Sequence, residues 1–343
     1  MESAPLTPSD LGKVGTDAPT RNLALELVRV TEAAALAAAR FIGMGDKEAA
    51  DQAAVDAMRL VLGTVPMAGV VVIGEGEKDE APMLYNGEQI GDGQPPEVDI
   101  AVDPLEGTTL TAHGMPSALS VIAMAERGSM FDPGPCLYME KIAGAQDIAD
   151  LLDLDRPLPE TLRLVAKRRE MDLRDVTVVM LDRPRLEDAT RQVREAGARV
   201  RLIADGDVAA ALLAASEDSP VDLLWGIGGT PEGVIGAAAL KSTGGQLVGR
   251  LWPRNDEERG AAVDAGYDLE KQLTVDDLVT SDDCGFAATG VTDGDILDGV
   301  RYQKARGATT ESLVMRSRSG TVRRIRATHD REKLSAVTGH LDF

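Results

Sequence analysis

The sequence predicts an α/β fold built on mixed sheets. Three observations predict it. Short apolar runs of strand length recur along the chain and end in glycine, acid or proline. In the second half such runs alternate with helix-length stretches, the βαβ pattern of a mainly parallel sheet. The last third returns to strand-like runs with a hairpin signal. Hydrophobic residues make up 43% and charged residues 27% of the 343-residue chain, ordinary for a globular protein with a sizeable core.

Taken in order, Asn22 to Phe41 reads as a helix with Leu23, Leu27, Val30, Ala34 and Ala37 on one stripe. Gly43 and Gly45 break it. Asp46 is placed to cap a second helix reaching Leu62. On that helix Asp51 shares a row with Ala54, Val55, Met58 and Leu62, so it lies on the apolar face. Burying an unpaired carboxylate costs several kcal/mol, which makes Asp51 a candidate ligand. Gly69 to Ile73 is a short strand that ends in Gly74-Glu75-Gly76-Glu77, again an acid at a strand exit.

Val98, Ile100 and Val102 alternate along a mostly buried strand, and Pro104 is expected to end it. Asp103 then stands at the carboxyl end of the strand, where open α/β sheets bind ligands. Glu106 follows three residues later across a tight turn, so both carboxylates can face one point. Two such anions repel each other unless a cation sits between them. Ala118 to Ala125 and Cys136 to Lys141 read as further strands; Tyr138 is either a core aromatic or a phosphate donor.

In the second half, strands at Val176–Leu181, Val200–Ala204 and Val221–Trp225 alternate with helices at Leu186–Glu195, Asp207–Ala215 and Pro231–Ser242. Each strand exit carries polar chemistry: Arg183-Pro184-Arg185, then Asp205-Gly206-Asp207, then the glycine-rich Gly226 to Gly233. In the last of these, Thr230 is the expected N-cap and Pro231 the first helical residue. A helix start of this kind attracts anions. The stretch matches neither a dinucleotide-binding fingerprint nor a P-loop. Glu232 there either complements the helix dipole or serves as a ligand. Gln246–Trp252 and Gly285–Thr289 read as strands. Leu313–Arg316 and Thr321–Arg326 form a hairpin around Ser319-Gly320, with Arg323, Arg324 and Arg326 on a solvated or interface edge.

Formal net charge is −21, which argues against nucleic acid and anionic membrane as partners. An anionic substrate would need local positive charge. The two cysteines, Cys136 and Cys284, are far apart in sequence and suggest a reducing compartment. His113, His329 and His340 leave little material for a zinc site. No apolar run of about 18 residues marks a membrane span. Residues 1–20 read as a loose tail without a leader signal, and a cytoplasmic location is expected.

Asp51, Glu75, Asp103, Glu106 and Glu232 form a set of acids at strand ends, at helix starts or on an apolar face. An all-oxygen site selects hard cations, Mg²⁺ or Mn²⁺. Five carboxylates suit two or more metals sharing ligands. Thr108 can hold a water, and Arg183 and Arg185 can grip phosphate. The chemistry that fits is two-metal phosphoester hydrolysis.

Asp103-Pro-Leu-Glu106-Gly-Thr108 resembles the D-P-[IL]-[DE]-G-[ST] motif of the lithium-sensitive, metal-dependent sugar phosphatases. More narrowly, the chain resembles class II fructose-1,6-bisphosphatases. The matching blocks run in order: Gly45 to Asp51, Ile73 to Met83, Asp99 to Thr108, Met139-Glu-Lys141, Asp205 to Ala210 and Gly226 to Gly233. The resemblance implies a layered α/β/α/β/α sandwich and hydrolysis of fructose 1,6-bisphosphate to fructose 6-phosphate in gluconeogenesis. It implies that Asp51 and Glu75 bind one metal, and that Asp103, Glu106 and Glu232 bind a second. By the same resemblance Thr108 positions the attacking water, and Glu106, Gly107 and Thr108 meet the scissile phosphate. Tyr138, Arg183, Pro184 and Arg185 would hold the sugar and its distal phosphate, with Asp205, Gly206, Asp207 and Gly229 at the sugar. A homodimer or homotetramer is the expected assembly. The expected layout is a tail (1–20), a metal-binding half (21–150) and a sugar-phosphate half (151–343) in one catalytic unit. The alternatives are another phosphatase of the superfamily, acting on sedoheptulose bisphosphate or an inositol phosphate, and a non-catalytic sugar-phosphate-binding regulator.

Overall fold

The computed structural model describes residues 23–76, 83–216, 219–303 and 307–330. The expected tail, His340 and the Glu77 and Asp79 positions of one matching block lie outside the described residues, as does Asn22 at the start of the first expected helix.

Helix α1 (Ala24–Ala38) runs on through a 3₁₀ turn to Phe41. Helix α2 (Lys47–Leu62) starts at Asp46, whose carboxylate accepts from the Ala49 N–H at 3.0 Å, the cap that the sequence predicts. Strands β1 (Ala68–Ile73), β2 (Gln89–Ile90) and β3 (Glu97–Glu106), the short helix α3 (Thr108–His113) and strand β4 (Leu119–Glu126) follow. Next come β5 (Tyr138–Gly144), α4 (Leu158–Arg168), β6 (Thr177–Leu181), α5 (Glu187–Ala196) and β7 (Arg199–Ile203). Then come α6 (Asp207–Ala214), β8 (Leu223–Gly229), α7 (Thr230–Leu240) and β9 (Gln246–Leu251). Helices α8 (Asp256–Asp264) and α9 (Val275–Leu278) lead to β10 (Gly285–Gly290), β11 (Arg301–Gln303), β12 (Gly307–Arg316) and β13 (Thr321–His329).

The strands form two sheets among the described residues. The first has the order β11-β12-β10-β4-β3-β1-β2, with β13 paired to β12; the second has the order β7-β6-β8-β5-β9. Strands β10 to β13 thus return to the sheet begun by β1 to β4. Three apolar clusters define five layers. Helices α1 and α2 cover one face of the first sheet through Leu27, Val30, Met58 and Ile100. Helices α6 and α7 lie between the sheets, and α4 and α5 close the far face of the second through Leu162, Val165 and Val193. This is an α/β/α/β/α sandwich. Helix α6 is buried on every side and α7 nearly so, which is why both are rich in alanine: a helix between two sheets has no wet face to make polar.

Two expectations about local structure are corrected. Pro104 does not end β3. The strand continues to Glu106, and pairing with β4 shifts from Asp103↔Val121 to Glu106↔Leu119. Pro104 and Leu105 together oppose Ser120, a β-bulge, where a residue without an N–H costs no ladder bond. The second sheet is also not mainly parallel in its pairing. Strands β6, β7 and β8 pair in parallel, but β5 lies antiparallel between β8 and β9. The three βαβ strands obey the alternation; β5, coming from before it, enters from the opposite end.

The C-terminal hairpin forms around a 3₁₀ turn at Ser317–Ser319, with both strands longer than the sequence indicates. Arg323, Arg324 and Arg326 are exposed on β13, which pairs with β12 alone among the described residues. No described helix is long and apolar enough to cross a membrane. Cys136 and Cys284 are buried free thiols.

Candidate active site

The bulge in β3 builds the first wall of the site. In a regular strand, residues three apart point to opposite faces. The doubled position lets Asp103 and Glu106 share one face. Upstream of it, Val98, Ile100 and Val102 pack toward α1 and α2; downstream, Leu105 takes that direction. Asp103 is fixed by the Leu105 N–H, donated to its Oδ1 at 3.1 Å. Glu106 is 3% exposed and accepts at 2.5 Å from the Val208 N–H, in the first turn of α6. That bond crosses from the first sheet to the second half of the chain. Directly after Glu106, Gly107 adopts φ 91°, a left-handed conformation natural to glycine. It turns the chain so that Thr108 opens α3 at the cleft. Glu75 follows β1, which pairs in parallel with β3, so both exits lie at the same end.

The second sheet supplies the facing wall by the same rule. Strands β6 to β9 all run one way, and their exits carry Arg183 and Arg185, Asp205 and Asp207, Glu232, and Arg254. Strand β5 runs the other way, so its first residue, Tyr138, reaches the same edge. Arg185 is pinned through Nε and Nη2 to the Ile227 carbonyl at 3.0 and 2.8 Å. Two glycines make room here. A Cβ at Gly228 would sit 1.7 Å from Asp207 Oδ2, and one at Gly229 would sit 1.7 Å from Glu232 Oε2. Lys141, only 2% exposed, ties this wall together: its Nζ meets Asp207 Oδ2 at 2.6 Å and donates to the Gly229 carbonyl at 2.8 Å. Thr230 is not the N-cap expected of it. That position is Gly229, and the Thr230 hydroxyl donates to the Cys136 carbonyl at 2.9 Å.

Between the walls lies a cleft of about 450 Å³. It is lined by Asp51, Asp103, Glu106, Gly107, Thr108, Tyr138, Arg183, Arg185, Asp205, Gly206, Asp207, Gly229 and Glu232. Glu75 does not line the cleft but lies close enough to feel Asp51 electrostatically and to act on Asp103. Pro184 does not line the cleft; it opens the 3₁₀ turn that carries Arg185.

The acids are poorly solvated and crowd one another. Burial first, then repulsion from Asp51, pushes Glu75 up to about 7. Burial first, then Glu232, Asp207 and Asp205, push Glu106 up to about 8 against the opposing Val208 hydrogen bond. Asp103 is raised well above the usual carboxylate range by burial and by Glu106, Glu75, Glu232 and Asp51. Burial raises Asp51 and Glu232, the latter held back by Lys141. Glu106 Oε2 and Glu232 Oε2 are buried with no hydrogen-bond partner. Buried acceptors without donors are costly, and a hard cation satisfies both. Among the described residues no three acids converge into a preformed coordination shell.

The chain matches the family model described as bacterial fructose-1,6-bisphosphatase, glpX-encoded, over residues 21–329. The chain belongs to this family. It is 44% identical over 322 residues to the fructose-1,6-bisphosphatase class 2 of Haemophilus influenzae, covering 90% of this chain and 96% of that one. It is likewise 44% identical to the fructose-1,6-bisphosphatase 1 class 2 of Escherichia coli K12, covering 90% and 95%.

Sequence reasoning missed two residues that line the cleft, Gly228 and Arg254, and one buried against Asp207, Lys141. Lys141 stands in a matching block without a role, Gly228 reads only as part of the glycine-rich stretch, and Arg254 follows an expected strand without a role. The signal for Arg254 was present: Trp252-Pro-Arg follows a strand of the same sheet, as Asp182-Arg183 does.

Proposed function

We propose that this chain hydrolyses fructose 1,6-bisphosphate to fructose 6-phosphate and inorganic phosphate, a step of gluconeogenesis. The observation that carries the proposal is the division of the cleft lining, with buried acids on both walls and arginines on the second wall alone. Such a division suits a substrate with a phosphate at each end. The donor set fits divalent cations, since every candidate ligand is a carboxylate and two carboxylate oxygens are orphaned. Asp51 and Glu75 would hold one cation, and Asp103, Glu106 and Glu232 a second; we assign these as Mn²⁺ or Mg²⁺. Bound there, the cations would neutralise phosphoryl charge and lower the pKa of the attacking water.

The chain's own residues do the rest. The Thr108 hydroxyl orients a water in line with phosphorus. The water oxygen bonds to phosphorus as the ester bond to the C1 oxygen breaks, and the leaving oxygen takes a proton. Gly107 and Thr108 contact the scissile group, and Asp205 and Asp207 accept from sugar hydroxyls. Arg183 and Arg185, beside Tyr138, hold the distal phosphate through charge-assisted hydrogen bonds. Phosphate release with Mn²⁺ or Mg²⁺ tests the proposal; absence of turnover with both metals would refute it. We further place the enzyme in the cytoplasm as a homodimer or homotetramer, a state that light scattering on the purified chain reads directly.

A further inference from the structure

The exit of β9, Trp252-Pro-Arg254, has no role in the reading above. Arg254 lines the cleft together with Arg183 and Arg185. Its guanidinium carbon lies 5.6 Å from the centre of the Tyr138 ring, and that of Arg185 lies 5.0 Å from the same centre. Trp252 meets Tyr138 edge-on, with ring centroids 6.4 Å apart and an interplanar angle of 74°. One phenol ring is thus flanked by two cations and braced by an indole.

Arg254 is held in place. Its Nε donates to Glu258 Oε1 at 2.6 Å, its Nη2 reaches the same oxygen, and its backbone N–H donates to Glu258 Oε2 at 2.8 Å. Glu258 is itself set by the start of α8, its N–H bonded to the Asn255 side chain at 2.9 Å. A guanidinium carries five N–H donors in one plane. Glu258 takes the Nε and Nη2 side, and no described residue accepts from Nη1. Arg185 shows the same division: Nε and Nη2 on the Ile227 carbonyl, Nη1 unclaimed among the described residues. Two guanidiniums are therefore anchored by one edge each beside a common ring.

We propose that Arg254 is a further substrate-binding residue, one that shares the distal phosphate with Arg185 and makes the cleft prefer a sugar bisphosphate. This rests on the reading that the distal phosphate lies at the arginine wall. In a chain of net charge −21, with acids crowding the opposite wall, each cation counts heavily toward a doubly phosphorylated ligand.

The test compares Arg254→Gln, Arg185→Gln and the unaltered enzyme, all with Mn²⁺. The readouts are KM and kcat for fructose 1,6-bisphosphate and the inhibition constant of fructose 6-phosphate, which keeps the distal phosphate alone. Arg254→Gln is expected to raise both KM and that inhibition constant about tenfold to hundredfold, the worth of a charge-assisted hydrogen bond, with kcat within about twofold. Glu258→Gln, which loosens the anchor, is expected to give a smaller rise. A wild-type KM in Arg254→Gln beside a raised KM in Arg185→Gln overturns the inference alone. Unchanged constants in both variants overturn the placement of the distal phosphate, and the inference with it. A fall in kcat at constant KM in Arg254→Gln would also overturn it, because a binding residue remote from the scissile bond acts on KM.

Discussion

Thr108 and the two glycines opposite it make the sharpest predictions at the scale of single residues. Thr108→Ala keeps the bulge, Gly107 and every acid. It is expected to lose roughly 10²- to 10⁴-fold in turnover while binding Mn²⁺ normally, as read by steady-state kinetics beside calorimetric titration. Near-normal turnover would remove the hydroxyl from the mechanism. The glycines separate metal binding from sugar binding. Gly229→Ala would drive a Cβ into Glu232, and is expected to weaken Mn²⁺ binding roughly 10- to 100-fold. Gly228→Ala would drive one into Asp207, and is expected to raise KM with Mn²⁺ affinity unchanged. The same metal loss in both variants would show that the loop fails as a unit. The acids were legible in the sequence because an acid at a strand exit or on an apolar face has few reasons to be there. Lys141 and Arg254 were not. A lysine in a strand and an arginine after one both read as solvated charges, and only the fold shows that one is buried against Asp207 and the other faces the cleft.

At the scale of elements, the link among β5, α6 and β8 is a buried ion pair. Lys141 and Asp207 are 2% and 7% exposed at their side chains. Removing one partner leaves the other charge buried, so Lys141→Met is expected to destabilise the fold by about 3–5 kcal/mol, measured by denaturant unfolding. Lys141→Met with Asp207→Asn should recover much of the loss; if it does not, packing rather than charge explains the effect. The alternating strands and helices of the second half were legible because each βαβ unit is local in sequence. The reversal of β5 was not, since its neighbours β8 and β9 lie far along the chain and pairing partners leave no local mark. Pro104 misled for the same reason. Proline forbids a ladder bond, but whether the strand stops or bulges is decided by what β4 offers opposite.

At the scale of the molecule, the raised acids couple stability to pH. Glu75 moves from 4.5 to about 7 and Glu106 from 4.5 to about 8. Between those limits the folded chain holds protons that the unfolded chain has released. The metal-free protein therefore loses stability as pH rises through that window, and the loss levels off above it. Asp147, lowered by its hydrogen bonds to Arg169, works in the opposite sense only near or below pH 3.8, and His329, lowered by burial, opposes the loss only below its ordinary 6.5. With a chelator, the melting temperature is expected to fall by several degrees from about pH 5 to 8. Saturating Mn²⁺ binds the deprotonated folded form and should flatten the slope. A flat curve with chelator would mean that the acids are already solvated. The five layers could be anticipated from element order and the family motif, but the return of β10 to β13 to the first sheet could not, because β10 finds β4 across nearly half the chain. The doubled position at Pro104 and Leu105 is the smallest feature with the widest reach. It is a change of parity: before it the even-numbered residues of β3 face α1 and α2, and after it the odd-numbered ones do. Counting by twos along the sequence therefore assigns Asp103 and Glu106 to different sides of the sheet. One extra residue in β4 beside Ser120 would regularise the ladder at a stroke, leaving every residue of β3 in place and the two carboxylates back to back.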